Sequence, residues 1–166
     1  SIFGTPLIVI TKEIMPQWQK VVKRIIDIVV SLFVLIVFSP LYLITAIIVV
    51  STSKGPAFFS QERIGIHGRP FMIHKFRSMC EDAEKDGPAL SSQKDMRITK
   101  FGRFMRKVRL DEIPQFYNVL IGDMSLVGPR PERQFFIDQI VKEAPHYNHL
   151  LKVTPGITSW GQVKYG

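Results

Sequence analysis

Cysteine is almost absent from this sequence. Cys80 is the one cysteine among 166 residues, and a single thiol cannot close a disulfide within the chain. The sequence is therefore not that of a disulfide-stapled secreted domain, and nothing in it indicates an oxidising compartment. We expect most of the chain to face the cytoplasm.

Acidic residues are also scarce. The chain has 22 lysines and arginines against 14 aspartates and glutamates, which gives a net charge of +8 at pH 7. Hydrophobic residues nevertheless make up 46% of it, which excludes a disordered polar tail. A length of 166 residues suits one domain. A basic, hydrophobic chain of this size suits an anionic partner, either a nucleic acid or a membrane surface.

Charge is missing altogether from Ile28 to Val50, a run of 23 residues. A membrane-spanning helix needs ~20 such residues, whereas the apolar part of a cleavable signal is shorter and precedes a small-residue cleavage pattern. We therefore predict that this run enters a membrane. Ser39 and Pro40 lie near its middle, and a helix must kink or break there because Pro40 has no N–H and its ring crowds the preceding turn.

The two arms on either side of this break are short. At 1.5 Å per residue, residues 28–39 and 41–50 extend about 18 and 15 Å, less than a hydrocarbon core of roughly 30 Å. Lys20, Lys23 and Arg24 precede the run and a net basic segment follows it, so both ends favour the cytoplasmic side. These observations fit both a re-entrant helix and a proline-kinked spanning helix.

Beyond the apolar run, the pattern predicts a small β-hairpin and several helices. Short β-runs at 57–59, 63–66 and 71–76 flank a turn that contains glycine. Residues 97–109 hold six basic residues and no acid, with apolar residues three to four apart. The apolar positions are Ile98, Phe101, Phe104 or Met105, and Val108. This spacing predicts an amphipathic helix lying on the membrane interface or on the domain core, with a solvated basic face as the alternative.

Further helices are predicted from Pro114 to a stop at Gly122, and over 135–142, while 122–131 and 153–157 are predicted to be loops. The expected fold class is α+β, predominantly helical. We divide the chain into an N-terminal juxtamembrane segment (1–22), a membrane helix (23–50) and a cytoplasmic-face domain (51–166).

Adjacent carboxylates at Asp111 and Glu112 form the most suggestive chemical cluster. Successive helical residues point about 100° apart, so the two suit different roles. One could attack phosphorus or hold a metal ion while the other orients a group or moves a proton. Arg106, Arg109 and Arg130 could offset the charge of a phosphate substrate. The alternative is that Asp111 only caps a helix.

Several motifs occur together in one order along the chain. They are Lys23-Arg-x-x-Asp27, Ser39-Pro40, Gly55-Pro56, Gln61-x-Arg63-x-Gly65, Lys75-Phe-Arg-Ser-Met79, Asp95-x-Arg97-Ile-Thr99, Gly102-Arg103-Phe-x-Arg106-Lys107, Leu110-Asp-Glu-Ile-Pro-Gln115 and Asn118-Val-Leu-x-Gly-Asp-Met-Ser-Leu-Val-Gly-Pro-Arg-Pro-Glu132. From about Lys23 to Gln162 the chain closely resembles the bacterial sugar transferases, the monotopic polyprenyl-phosphate phosphoglycosyl transferases.

The resemblance implies an activity and a location. Such enzymes move a sugar-1-phosphate from a UDP-sugar to undecaprenyl phosphate and release UMP, the first membrane step in the synthesis of exopolysaccharide, capsule, O-antigen or glycoprotein glycans. The implied location is the cytoplasmic face of the bacterial inner membrane. The implied partners are the UDP-sugar, undecaprenyl phosphate and membrane lipids. The oligomeric state stays open, a homodimer included.

The resemblance also implies roles for individual residues. Asp111 would be the nucleophile that forms a covalent phosphosugar intermediate and would contact Mg²⁺, with Glu112 as its partner. Phosphate ligands would be Arg106 and Arg130, with Lys75 and Arg77 as weaker candidates for the same anionic pocket. The break at Ser39 and Pro40 would correspond to a re-entrant helix, and this favours the first of the two membrane arrangements.

Four points stand beside this expectation. Relatives often have a small hydroxyl residue where this chain has Arg109, so the resemblance assigns that arginine no role. Residues 3–7 resemble the stretch that joins this domain to extra membrane helices in longer members of the family. The family also usually continues well past residues 160–163. We therefore expect this chain to be a fragment of a longer protein, incomplete at its C-terminal end. The competing hypothesis is a non-catalytic, membrane-attached module that binds anionic lipid or an acidic partner. We do not expect nucleic-acid binding, because no platform of aromatic and basic residues is evident.

Overall fold

The computed structural model of the chain describes residues 15–80 and 95–159. Our predictions for residues 3–7 and 160–163 lie outside these ranges. The helices are α1 (Gln17–Val37), α2 (Ser39–Thr52), α3 (Lys100–Lys107), α4 (Gln115–Ile121) and α5 (Gln134–Glu143); the strands are β1 (Phe58–Ile64), β2 (Pro70–Phe76), β3 (Ser125–Val127) and β4 (Gly156–Thr158). Short 3₁₀ helices cover Ile66–Gly68, Leu110–Glu112 and Pro145–Lys152. The predicted class, mostly helical with a small antiparallel hairpin, is confirmed.

The apolar run forms two helices, α1 and α2, which meet at an angle of 62°. Pro40 lies in the first turn of α2 and has no N–H to donate to the Ile36 carbonyl. The Ser39 hydroxyl donates to that carbonyl instead, at 2.8 Å. Within the described residues no single helix is long and apolar enough to cross a membrane, while the bent pair meets that criterion by length and composition. Helix α1 starts at Gln17, ahead of the predicted start at Lys23.

Charged residues near the start of α1 join this helix to the rest of the domain. The buried Asp27 carboxylate accepts hydrogen bonds from the Ser125 hydroxyl at 2.7 Å and the Leu126 amide at 3.0 Å. Lys23 forms an ion pair with Asp27 at 3.6 Å and also donates to the Ser125 hydroxyl. Arg24 donates to the last carbonyls of α4. We call Lys23, Arg24 and Asp27 the α1 clamp.

The β1–β2 hairpin extends away from α2. Its strands pair antiparallel, from Phe58 opposite Phe76 to Ile64 opposite Pro70. At the first of these ends the Tyr42 ring of α2 lies 5.4 Å from the Phe58 ring and 4.9 Å from the Phe76 ring. The hairpin is therefore anchored to the apolar helix pair by aromatic contacts at one end only.

Helix α3 is shorter than the predicted segment 97–109. Thr99 caps it by accepting a hydrogen bond from the Gly102 amide at 2.9 Å, while the preceding Ile98 bridges to Met79. Met105 is fully buried and packs with Val49 of α2 and Phe76 of β2. Part of the predicted apolar face thus belongs to the core, whereas Phe104 and Val108 remain exposed.

Two segments that we predicted to be loops pair as short parallel strands, β3 and β4. Side chains are excluded between them, because a Cβ on Gly156 would overlap the backbone of Gly128, and one on Gly128 would overlap the backbone of Thr154. Since the two strands are far apart in sequence, no local pattern indicates their pairing.

Gly102 provides a test of the packing between α3 and the segment after β2. A Cβ at this position would overlap the Ser78 carbonyl. We expect Gly102→Ala to destabilise the protein by about 2 kcal/mol, because neither backbone can yield freely. In a thermal unfolding experiment this corresponds to a Tm about 4–8 °C lower.

The matched control is Gly68→Asn at the tip of the hairpin. Gly68 has a positive φ of 73°, and no atom lies within 4 Å of the position of its Cβ. Asparagine tolerates that backbone region better than most residues. An equal loss of Tm in both variants would contradict the steric explanation for Gly102.

Candidate active site

Asp111 and Glu112 lie in the 3₁₀ helix that joins α3 to α4. The chain reverses at Arg109, which has a left-handed backbone with φ of 60°. Such a conformation is costly for a non-glycine residue and concentrates at functional sites. Nη1 of the Arg109 guanidinium lies 3.2 Å from each carboxylate oxygen of Glu112. The structure thus gives Arg109 a contact within the pair of carboxylates.

Asp111 is nearly buried, with 8% of its surface exposed. Burial and the neighbouring Glu112 carboxylate raise its pKa, while the positive charges of Lys75 and Arg106 lower it. The low polarity around Asp111 disfavours its ionised form, and the two cations partly offset that cost. A buried carboxylate beside cations is the arrangement that a phosphate-directed nucleophile requires.

Lys75 lies on β2 and faces the same carboxylates. Burial lowers the pKa of its ammonium group, Glu112 and Asp111 raise it, and Arg130 and Arg63 lower it. Two carboxylates and two guanidinium groups are therefore close enough to Lys75 to change its pKa. The predicted phosphate ligands Lys75 and Arg130 are therefore both close to the dyad.

A small pocket open to solvent connects these side chains. We call it the dyad pocket. Its charged lining residues are Arg63, Lys75, Glu112 and Arg130, and its other lining residues include Gln115, Pro131 and Ile157. Three of the four charged groups are cationic, so the pocket favours an anionic ligand.

Arg106 approaches the site from the last turn of α3. Its Nε donates to the Ser78 hydroxyl at 2.8 Å, and its charge lowers the pKa of both Asp111 and Asp95. The dominant effect on Asp95 comes from hydrogen bonds with Arg97, which bring its pKa to about 2. Arg106 is thus held at one side of the dyad, as the sequence predicts.

Arg130 follows β3 in a rigid Pro-Arg-Pro turn. Its Nε lies 3.9 Å from one oxygen of Glu132, and the other oxygen lies 3.2 Å from Nη1 of Arg63. Glu132 therefore holds two guanidinium groups at the edge of the dyad pocket. Sequence reasoning did not assign Arg63 or Gln115 to the site, although both occur in the motifs quoted above.

Arg77 has a different position. Its Nη2 donates to the carbonyl of Ser53 at 2.7 Å and to the Ser53 hydroxyl at 2.9 Å, at the end of α2. The guanidinium is buried, and no contact within the described residues joins it to the dyad. The structure brings together five of the six predicted chemical residues: Lys75, Arg106, Asp111, Glu112 and Arg130.

The donor set suits Mg²⁺ only in part. Within residues 15–80 and 95–159 no three His, Cys, Asp or Glu side chains cluster in a way that could hold a metal ion. Mg²⁺ commonly uses one or two carboxylates together with substrate phosphates and water. The Asp111–Glu112 pair fits that pattern, with substrate completing the coordination.

Comparison with known proteins is consistent with this geometry. The family model described as "Bacterial sugar transferase" matches residues 18–166. An Aeromonas hydrophila protein is 48% identical over 87% of this chain and 34% of its own length. It is named UDP-N-acetylgalactosamine-undecaprenyl-phosphate N-acetylgalactosaminephosphotransferase.

Two further relatives have another sugar in their names. Both are UDP-glucose:undecaprenyl-phosphate glucose-1-phosphate transferases. The Klebsiella pneumoniae protein is 41% identical over 98% of this chain and 35% of its own length. The Caulobacter vibrioides protein is 41% identical over 86% of this chain and 53% of its own length. The chain thus spans about a third of the length of the first two relatives.

Proposed function

The chain belongs to the bacterial sugar transferase family, and we propose that it transfers a sugar-1-phosphate from a UDP-sugar to undecaprenyl phosphate. The observation that carries this proposal is the buried Asp111 carboxylate beside Lys75 and Arg106, at the edge of a cationic pocket. The names of the relatives support the reaction type and differ in the sugar, so the sugar is left to experiment.

In the first step Asp111 attacks the phosphorus that carries the sugar. A bond forms between a carboxylate oxygen and this phosphorus, and the bridging P–O bond breaks, so that UMP leaves with the bonding electrons. Lys75, Arg106 and Arg130 offset the charge of the diphosphate as the carboxylate approaches. The product is an aspartyl-phosphosugar, whose reactive acyl-phosphate bond retains the energy needed for the second transfer.

In the second step an oxygen of undecaprenyl phosphate attacks the same phosphorus. Asp111 leaves as a carboxylate, and undecaprenyl-diphosphate-sugar forms. Glu112 is positioned by Arg109 to orient the attacking groups or to accept a proton from the lipid phosphate. Because Asp111 is buried and the Glu112 side chain is mostly buried, bulk water has limited access to the covalent intermediate.

Mg²⁺ is part of this proposal, with Asp111 as its protein ligand. When bound, the ion neutralises phosphate charge and polarises the phosphoryl group. Transfer is expected to stop when EDTA is added and to resume when excess Mg²⁺ is restored. Activity that persists through exhaustive chelation would remove Mg²⁺ from the proposal.

The length and apolar composition of the bent α1–α2 pair support a location of this chemistry at a lipid surface. We assign the pair to a re-entrant arrangement on the cytoplasmic face of the inner membrane. From Val21 to Val50 its exposed side chains are mostly apolar. Phe76 packs against α2. Its neighbours along the chain are Lys75 and Arg77, so both lie close to this helix. Phe104 and Val108 of α3 would also lie at the interface, with the lysines and arginines of α3 near lipid phosphates.

A donor screen tests the proposed reaction. Purified protein would be incubated with undecaprenyl phosphate, Mg²⁺ and UDP-glucose, UDP-galactose or their acetamido derivatives, while UMP release is followed. One donor is expected to give UMP and a lipid-linked sugar in equal amounts. Membrane binding without UMP release from any donor would favour the non-catalytic module.

Cysteine labelling tests the re-entrant arrangement. Lys20 is exposed in the first turn of α1 and Lys54 is exposed just after α2, and each would be replaced by cysteine in a Cys80→Ser background. Because both ends are assigned to the cytoplasmic face, a membrane-impermeant maleimide should label both in inside-out vesicles and neither in sealed right-side-out vesicles. Labelling of the two positions from opposite sides would mean that the pair spans the membrane.

A further inference from the structure

Ser78 lies shortly after the end of β2 and is nearly buried, with 7% of its surface exposed. The start of α3 holds its backbone on one side, because the Thr99 amide donates to the Ser78 carbonyl at 3.1 Å. A Cβ on Gly102 would overlap the same carbonyl, so α3 lies directly against it. The position of Ser78 relative to α3 is therefore closely fixed.

The residues before Ser78 fix it on the other side. Phe76 is fully buried and packs against α2. The Arg77 amide donates to the Ala57 carbonyl at 2.9 Å, and its guanidinium donates to the Ser53 carbonyl at the end of α2. Ser78 is thus tied through adjacent residues to the bent helix pair.

Arg106 differs from the other cations of α3. The other basic residues of this helix are exposed: Lys100, Arg103 and Lys107. Arg106 is half-buried, and its Nε donates to the Ser78 hydroxyl at 2.8 Å. Its positive charge is close enough to act on the Asp111 carboxylate. The Ser78 hydroxyl therefore holds the one cation of α3 that acts on the dyad.

This hydrogen bond restrains a flexible side chain. An arginine side chain loses much conformational freedom when it is fixed in one orientation. The guanidinium is rigid and planar, so a bond at Nε also limits the directions of its other N–H groups. Because the bond to Ser78 forms without substrate, this loss of freedom does not oppose the reaction, and the charge is already oriented for a phosphoryl group.

We propose that Ser78 is a positioning residue for the transfer reaction. Its hydroxyl holds the Arg106 guanidinium beside Asp111, so that this cation meets the diphosphate of the donor without rearrangement. The inference rests on the proposed function, because it takes the ligand of Arg106 to be a diphosphate. Since Ser78 is tied to the end of α2, it also sets the position of Arg106 relative to the bent helix pair.

Paired substitutions at Ser78 and Arg106 test the inference. Ser78→Ala is expected to lower kcat/KM for the UDP-sugar about tenfold, because a hydrogen bond to a charged group is lost. The KM for undecaprenyl phosphate should stay within about twofold. Arg106→Lys keeps the charge but lacks the guanidinium, so in that background Ser78→Ala should cause less than about twofold further loss. Alanine keeps the Cβ and the backbone contacts of Ser78, so the variant is expected to fold.

Ser60→Ala is the matched control. It removes an exposed serine hydroxyl of β1 that lies 2.9 Å from Nδ1 of His74, and it should leave both constants unchanged. An equal loss from Ser78→Ala in the wild-type and Arg106→Lys backgrounds would mean that Ser78 acts on the fold and not through Arg106, which overturns the inference. Full activity of Ser78→Ala would overturn it as well.

A measurement that needs no turnover separates this inference from the proposed function. The Nε–H signal of Arg106 is followed by ¹⁵N NMR of the protein in detergent micelles and is assigned by its absence in Arg106→Lys. Its exchange with solvent should be about tenfold faster in Ser78→Ala and unchanged in Ser60→Ala. If the wild-type protein turns over no UDP-sugar, the proposed function fails, while exchange that depends on Ser78 still supports its hold on Arg106. Equal exchange in wild type and Ser78→Ala would overturn the inference whatever the activity.

Discussion

Asp111→Asn is expected to lower the rate of UMP release by at least about 1,000-fold. Asparagine keeps the shape of the side chain but cannot attack phosphorus as a carboxylate does, and removal of a covalent nucleophile costs several orders of magnitude. The measurement is UMP release with the donor identified in the screen. Mass spectrometry of the stalled reaction should also detect no sugar-phosphate adduct on the variant.

The same substitution should leave the protein at least as stable as the wild type. Burial raises the pKa of Asp111, and a raised folded-state pKa means that folding disfavours the ionised carboxylate near neutral pH. A neutral asparagine removes this cost, so the Tm should stay constant or rise, and membrane association should persist. The loss of activity is then distinct from unfolding. A variant that keeps near-full activity would show that Asp111 is not the nucleophile.

Asp138→Asn is the matched control for this experiment. Asp138 lies exposed on α5 and accepts a hydrogen bond only within its own helix among the described contacts, from Gln134 at 2.7 Å. Removing its charge should change neither UMP release nor Tm beyond experimental error. A comparable loss of activity there would indicate a general effect of acidic charge.

Features set by local backbone chemistry could be predicted from the sequence. The missing N–H of Pro40 predicts a break in the apolar run, and the Ser39 hydroxyl meets the freed carbonyl as expected. Pro114 precedes α4 and Gly122 follows it, as the sequence predicts. Proline favours the start of a helix, and the positive φ of Gly122 ends this one. The carboxylate pair and its neighbouring cations could also be recognised, since they are close in sequence.

Features set by distant pairing could not be predicted. The β3–β4 sheet joins segments that look like loops when each is considered alone. Lys75 and Arg77 are two residues apart, which suggested that both contribute to one pocket. In the structure the Arg77 guanidinium instead donates a hydrogen bond to the Ser53 carbonyl at the end of α2.

The α1 clamp also depends on distant contacts, and Asp27→Ala is expected to have the largest effect on stability. The substitution leaves the Ser125 hydroxyl, the Leu126 amide and the Lys23 ammonium without their acceptor. Breaking one side of a buried, hydrogen-bonded ion pair costs about 3 kcal/mol, or roughly 6–12 °C in Tm for a chain of this size. Thermal unfolding in detergent or nanodiscs measures the change.

Asp27→Ala should also reduce transfer at temperatures where the protein remains folded. The clamp joins α1 to β3, and Arg130 follows β3 directly, so a loosened contact alters the position of a phosphate-binding side chain relative to the membrane. We expect a higher KM for the lipid phosphate, while Asp138→Ala, which removes an exposed carboxylate, changes neither Tm nor KM. If Asp27→Ala lowers the Tm but leaves that KM unchanged, the clamp stabilises the fold without positioning the site. If the Tm also stays constant, the Asp27 contacts contribute nothing measurable, and the Arg24 hydrogen bonds and apolar packing hold α1 to the domain.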